Sequence, residues 1–274
     1  MDENNTEREI QDQLANWAGR IRDIAMDICA QALGQRVTLK EKYILGMLQR
    51  QAGVLRSVQT NLATESHVNQ TATFILLRCL LDDFITLLYY QSREWQESDI
   101  IKHTATAYDK RLKMVKNSKD INVKYFEGTA PGLPTEEYYK QELQDFYDNP
   151  ANDIYFKNVA RREWKSFIAT TNIITQLPIN GISRANAHSL TLWQLYSTYV
   201  HYSSVTQQLE NSNTGSRKIE LLQLQEALSY VYKTLMLASH VLGRYGIRHE
   251  FRDTTDVYAE IFEGYNDEVN PDAE

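Results

Sequence analysis

The sequence predicts an all-α, multi-helix bundle, and three observations predict it: long stretches with apolar residues every three or four positions, a shortage of helix breakers, and capping signals where the stretches meet. Only five prolines and 11 glycines interrupt 274 residues, of which 42% are hydrophobic and 24% charged. That balance provides a sizeable core and differs from that of a disordered chain. The expected organisation is one helical domain over residues 1–249, with a proline-bearing insertion of loops and short helices at 117–181, followed by an acidic aromatic tail at 250–274.

The elements follow in order. Ile10, Leu14, Trp17, Ile21, Ile24 and Ile28 alternate steps of four and three, so residues 7–33 form an amphipathic helix that Gly34 stops. Thr38-Leu39-Lys40-Glu41 has the form of a capping box, because Thr38 and Glu41 can each satisfy a free amide; it opens a second helix to about Thr64. The stripe Tyr43, Met47, Leu55, Val58 and Leu62 pairs that helix with the first as an antiparallel hairpin. A third helix, about His67 to Arg93, is apolar nearly all round and belongs at the centre. A fourth, about Ser98 to Asn117, is polar and lysine-rich and belongs outside.

Pro131, Pro134, Pro150 and Pro178, with Gly128 and Gly132, mark the insertion. Short helices are expected at Glu136 to Tyr147 and Asp153 to Thr170, joined by the turn signal Asp148-Asn149-Pro150-Ala151. Beyond Gly181 come a short helix at Ser183 to Ser189, an apolar one at Leu190 to Glu210, and one at Arg217 to Leu242 that Gly243 or Gly246 ends. Val257, Ile261 and Tyr265, beside Tyr258 and Phe262, give the tail the pattern of a short acidic amphipathic helix.

Charge and motif content narrow the function classes. Net charge is −7, but residues 250–274 hold nine acids against Arg252, so the tail carries −8 and the rest +1, which is no basic platform for nucleic acid. Met1 to Glu9 is polar and acidic where a secretory leader needs a basic start and an apolar run, so the expected compartment is the cytoplasm. Phe74 to Tyr90 is the most apolar window, yet Arg78, Asp82 and Asp83 interrupt it at a cost lipid does not repay, which predicts a buried core helix and no membrane partner. Cys29 and Cys79 sit in apolar helical patterns and read as buried free thiols. The six histidines are scattered without His-x3-His, Glu-x2-His or Cys-x2-Cys pairs, and neither G-x-G-x-x-G nor G-x4-G-K-[ST] occurs, so no metal and no cofactor are expected.

Polar residues inside apolar helices are the candidates that remain. Arg78 and Asp82, four apart among leucines, share one helix face and read as a buried ion pair fixing helix register, or as a polar pocket in which Arg78 binds an anion. His201, on a polar line with Gln194 and Thr198 beside a tyrosine-rich stripe, is the histidine best placed for acid or base work. Arg244 and His249 match an R-x4-H spacing, but the surrounding Gly243 and Gly246 mark a helix end, so the match reads as chance.

The run Phe74-Ile-Leu-Leu-Arg78-Cys-Leu-Leu-Asp82, then Ile182-Ser183-Arg184, then Tyr196-Ser-Thr-Tyr199-Val200-His201, resembles a bacterial all-helical family of unknown function with an R-x3-[E/D] helix and a later Y-x4-H helix. The resemblance covers roughly residues 40–210; Asp82 stands where glutamate is commoner and Tyr199 where serine is. Such families are similar in outline to helical nucleotide-binding and ribonuclease-type domains of bacterial defence and toxin systems. The resemblance implies a site of Arg78, Asp82, Tyr196 and His201.

Two functions stay open. One is an interaction or regulatory module with a structural Arg78–Asp82 pair, engaging a protein partner or forming a homo-oligomer. The other is a metal-independent RNA-cleaving or other hydrolytic enzyme: His201 serves as acid or base, Arg78 stabilises phosphate charge, Asp82 orients Arg78, and Tyr196 or Tyr199 assists.

Overall fold

The computed structural model describes residues 3–64, 68–178, 186–200 and 217–243. In chain order the helices are α1 (Glu3–Gln31), α2 (Leu39–Ala63), α3 (Val68–Ser92), α4 (Glu97–Phe126), α5 (Glu136–Tyr147), α6 (Thr170–Gln176), α7 (Ala187–Val200) and α8 (Arg217–Leu242). The all-α bundle predicted from the sequence is what forms. Two compact units divide it: Met1–Ser92 with Ile173–Glu274, and Arg93–Asn172.

In the first unit α1 and α2 form the antiparallel hairpin. Gln11, early in α1, donates from Nε2 to the carbonyl oxygens of Leu62 at 2.7 Å and Thr64 at 3.2 Å, while the Cys29 thiol, late in α1, reaches the Leu45 carbonyl at 3.6 Å. Between these ties the Gln59 side chain lies over Gly19, where a Cβ would stand 2.7 Å from its Nε2 and displace the amide. Gly34, at φ +76°, makes the turn. The capping box is present: the Glu41 N–H donates to Thr38 Oγ1 at 3.2 Å, and the Thr38 N–H donates to Glu41 Oε2 at 2.7 Å. Helix α3 packs against α2, α7 and α8, with Leu77, Leu80, Leu81 and Ile85 sealed from solvent. None of the described helices is long and apolar enough to cross a membrane.

Three local expectations change in this unit. Cys29 and Cys79 are free but only partly buried. Helix α7 begins at Ala187, ahead of the Leu190 expected for it, and Ser189 is buried inside its first turn. Residues 183–185 and 201–210 of the two helices expected there lie outside the described residues.

In the second unit α4 continues past Asn117 to Phe126, because Asn117 has helical neighbours and the chain reverses only at Glu127 and Gly128, both at positive φ. Asn122 organises the following loop: it is fully buried, its Nδ2 donates to the carbonyls of Leu133 and Pro134, and its Oδ1 accepts from the Ala130 N–H. Thr135 then caps α5 by accepting from the Tyr138 N–H.

No helix forms over Asp153 to Thr170. A 3₁₀ turn at Pro150–Tyr155, capped by Asn149, leads into a two-stranded antiparallel hairpin, β1 (Phe156–Asn158) and β2 (Glu163–Trp164). Aromatic cross-strand packing outweighs the helical spacing: Phe156 sits opposite Trp164 with ring centroids 4.7 Å apart, and Phe146 of α5 lies 5.3 Å from the same indole. Tyr108 of α4 joins them through Phe146 and Tyr155, so an aromatic cluster with Tyr155 and Phe156 buried packs beside the aliphatic Ile100, Leu112 and Val115 of this unit.

Candidate functional site

Arg78 and Asp82 stand one turn apart on α3, facing α7. Their ion pair spans 3.7 Å between Nη1 and Oδ2. Trp193 and Ser197 have the same spacing of four on α7, so the two pairs interlock. Trp193 Nε1 donates to Asp82 Oδ1 at 3.0 Å, and Arg78 Nε donates to Ser197 Oγ at 3.1 Å. The Ser197 hydroxyl donates in turn to the Trp193 carbonyl at 2.7 Å, and the Arg78 guanidinium carbon lies 5.2 Å from the Trp193 ring centroid. The pair is not buried as the leucine surroundings suggested: its side chains keep 27% and 32% of their exposure. The physical reason is desolvation, which makes an ion pair cheaper at the rim of a helix seam than at its centre. On this rim Trp193 covers one side of the guanidinium, and the Nη2 donors have no protein partner among the described residues.

Tyr196 is placed differently. It is fully buried and stacks on Phe74 at 4.9 Å, with Tyr199 packed on the same ring at 5.1 Å. Its hydroxyl has no hydrogen-bond partner among the described residues. Burial, reinforced by the nearby Glu226 carboxylate, holds the hydroxyl proton well above the ordinary tyrosine range, so Tyr196 stays neutral and is unsuited to act as a base. The structure therefore unites Arg78 and Asp82, adds Trp193 and Ser197, and places Tyr196 in the core. His201, Ile182 to Arg184, Arg244 to His249 and the tail at 250–274 lie outside the described residues.

Two further polar groupings escaped sequence reasoning. Asp83 turns away from Asp82 towards α2, where it pairs with Arg50 and accepts from Gln51 Nε2 at 3.4 Å. Burial pushes its carboxyl up to about 6, although Arg50 and Gln51 pull the other way. Between α7 and α8, His188 Nδ1 lies 2.7 Å from Glu226 Oε1, which also accepts from the Tyr230 hydroxyl at 3.0 Å. The adjacent acids Asp82-Asp83 were a signal for the first, since consecutive helical residues point about 100° apart and need different partners. The second joins positions 38 apart and leaves no local signal.

In the second unit α4 presents a surface of a different kind. Met114, Ile121 and Tyr125 keep 62%, 48% and 64% of their exposure on its outward face, among lysines. Among the described residues no three histidine, cysteine, aspartate or glutamate side chains gather as metal ligands. No protein-family model, no curated protein and no solved structure matches the chain.

Proposed function

We propose that the protein is a helical interaction or regulatory module, acting in the cytoplasm on a protein partner or a second copy of itself, with Arg78 and Asp82 as a structural clip. The observation that carries this reading is the closure of the polar quartet. Each carboxylate oxygen of Asp82 faces a donor, and Ser197 both accepts from Arg78 and donates to the α7 backbone. These bonds hold α7 against α3 without a substrate. The exposed Met114, Ile121 and Tyr125, which share one face of α4, support the reading, since apolar surface gathered on one face is characteristic of docking sites.

One observation favours the second reading, metal-independent RNA cleavage of the bacterial defence or toxin type by His201 and Arg78. The open Nη2 side of Arg78 offers donors suited to a phosphate. Incubating the purified chain with labelled single-stranded RNA in the presence of a chelator separates the two. The interaction reading expects intact RNA, and expects Arg78→Ala to lower folding stability by about 1–2 kcal/mol through loss of the clip. RNA cut by the wild type and spared by His201→Ala, with the helical circular dichroism unchanged, would overturn it.

A further inference from the structure

The outward face of α4 has two properties that together specify a partner. At 100° per residue Lys110, Met114, Ile121 and Tyr125 fall within about 60° of arc, with the buried Leu112 opposite and the buried Val115 and Asn122 about 90–110° round the helix. Arg111 flanks this stripe on one side and Lys113 and Lys124 on the other, while Lys116 and Lys119 point to the far side of the helix. From Lys110 to Phe126 there are six (Lys110, Arg111, Lys113, Lys116, Lys119, Lys124) against the single acid Asp120. Arg111, Lys113 and Lys119 are engaged by Glu142, Asp109, and Asp120 with Glu136. Lys110, within the stripe, and Lys124, at its edge, hold no ion pair among the described residues, and Lys124 Nζ lies 4.9 Å from the Tyr125 ring centroid.

An apolar stripe that contains Lys110 and is edged by Arg111, Lys113 and Lys124 matches an amphipathic helix with an acidic edge. A second α4 does not fit, because it would set the same cations face to face. The chain itself contains a segment that fits. Residues 250–274 carry nine acids and one arginine, with Val257, Ile261 and Tyr265 in steps of four. At helical spacing Asp256, Glu260, Glu263 and Asp267 fall along the adjoining edge. The two stripes are also comparable in length, about 16 Å from Met114 to Tyr125 and about 12 Å from Val257 to Tyr265 at 1.5 Å per residue.

We propose that the basic apolar face of α4 docks the acidic segment 250–274 of a second copy of this chain, so that the protein self-associates. The proposal rests on the reading of the protein as an interaction module and names its partner. Met114, Ile121 and Tyr125 supply the contact area, and the lysines select an acidic ligand and speed its capture.

Sedimentation of the full chain over about 1–100 μM tests it. The expected result is a mass above that of the 31.8 kDa monomer, returning to monomer with Ile121→Glu and weakening as salt rises to about 0.5 M. Charge reversal gives the specific arm. Lys110→Glu/Lys113→Glu/Lys124→Glu in one chain, and Glu260→Lys/Glu263→Lys/Asp267→Lys in another, should each associate at least about tenfold more weakly alone. Mixing the two variants should restore association, with circular dichroism confirming that each is folded.

A wild-type chain that is monomeric throughout, or association that neither reversal weakens, overturns the proposal. Capture of phosphatidylserine vesicles by the α4 face in place of self-association also overturns it. A monomeric chain that binds an acidic amphipathic peptide of unrelated sequence, and loses it with Ile121→Glu, overturns the second-copy assignment but leaves the interaction reading standing. A chain that binds neither itself nor any such peptide loses both.

Discussion

Two neighbouring carboxylates on α3 show how far one residue's surroundings decide its chemistry. Asp82 lies at a solvent-reaching rim, while Asp83 is buried against α2 with its carboxyl raised to about 6. A raised carboxyl means that the folded chain binds this proton more tightly than the unfolded chain does. Between about pH 4 and about pH 6 the folded state therefore holds the extra proton, and the contribution of Asp83 to stability falls as pH rises through that window, then levels off. Its full size is on the order of 3 kcal/mol. Asp83→Asn, which mimics the protonated carboxyl, should remove the slope: relative to the wild type, the variant should gain stability as pH rises from about 4 to about 7. Urea unfolding followed by circular dichroism at several pH values checks this, and parallel curves for the two proteins would show that Asp83 titrates as an ordinary aspartate.

The loop after α4 shows the same dependence at the scale of an element. Three backbone groups of residues 130–134 rely on the side chain of Asn122. Asn122→Ala should cost about 2–3 kcal/mol, since it strands buried polar groups and does not merely delete a contact. The amides of 128–134 should then exchange with solvent much faster than those of α3; unchanged exchange would mean that Gly128 and Gly132 hold the loop unaided. The long helices, by contrast, were legible from the start, because a period of 3.6 is written into neighbouring residues and the Thr38–Glu41 box marks its own boundary. The hairpin at 156–164 was not, because its cause is the meeting of Phe156 and Trp164 with Phe146 from another element. The candidate site divides in the same way. Arg78 and Asp82 announced themselves as i and i+4 charges among leucines, but the donor that completes Asp82 comes from Trp193, 111 positions away, and spacing along one helix carries no trace of it.

For the molecule as a whole, folding stability is a small residue of large opposing terms, about 5–15 kcal/mol for a typical protein, so one misplaced polar atom is a noticeable fraction of the total. Tyr196 carries such an atom. Its ring is well used against Phe74, yet its hydroxyl is sealed inside the first unit with no partner among the described residues. Stranding it costs about 1–3 kcal/mol. Tyr196→Phe should therefore leave the thermal midpoint unchanged or raise it by several degrees, as scanning calorimetry would show; a large drop would reveal that the oxygen is engaged after all. A tyrosine codon becomes a phenylalanine codon by a single base change, so this cost is one that mutation can remove in one step. If the phenylalanine variant proves more stable, stability alone does not account for the tyrosine, and the hydroxyl becomes a marker of selection for something other than folding.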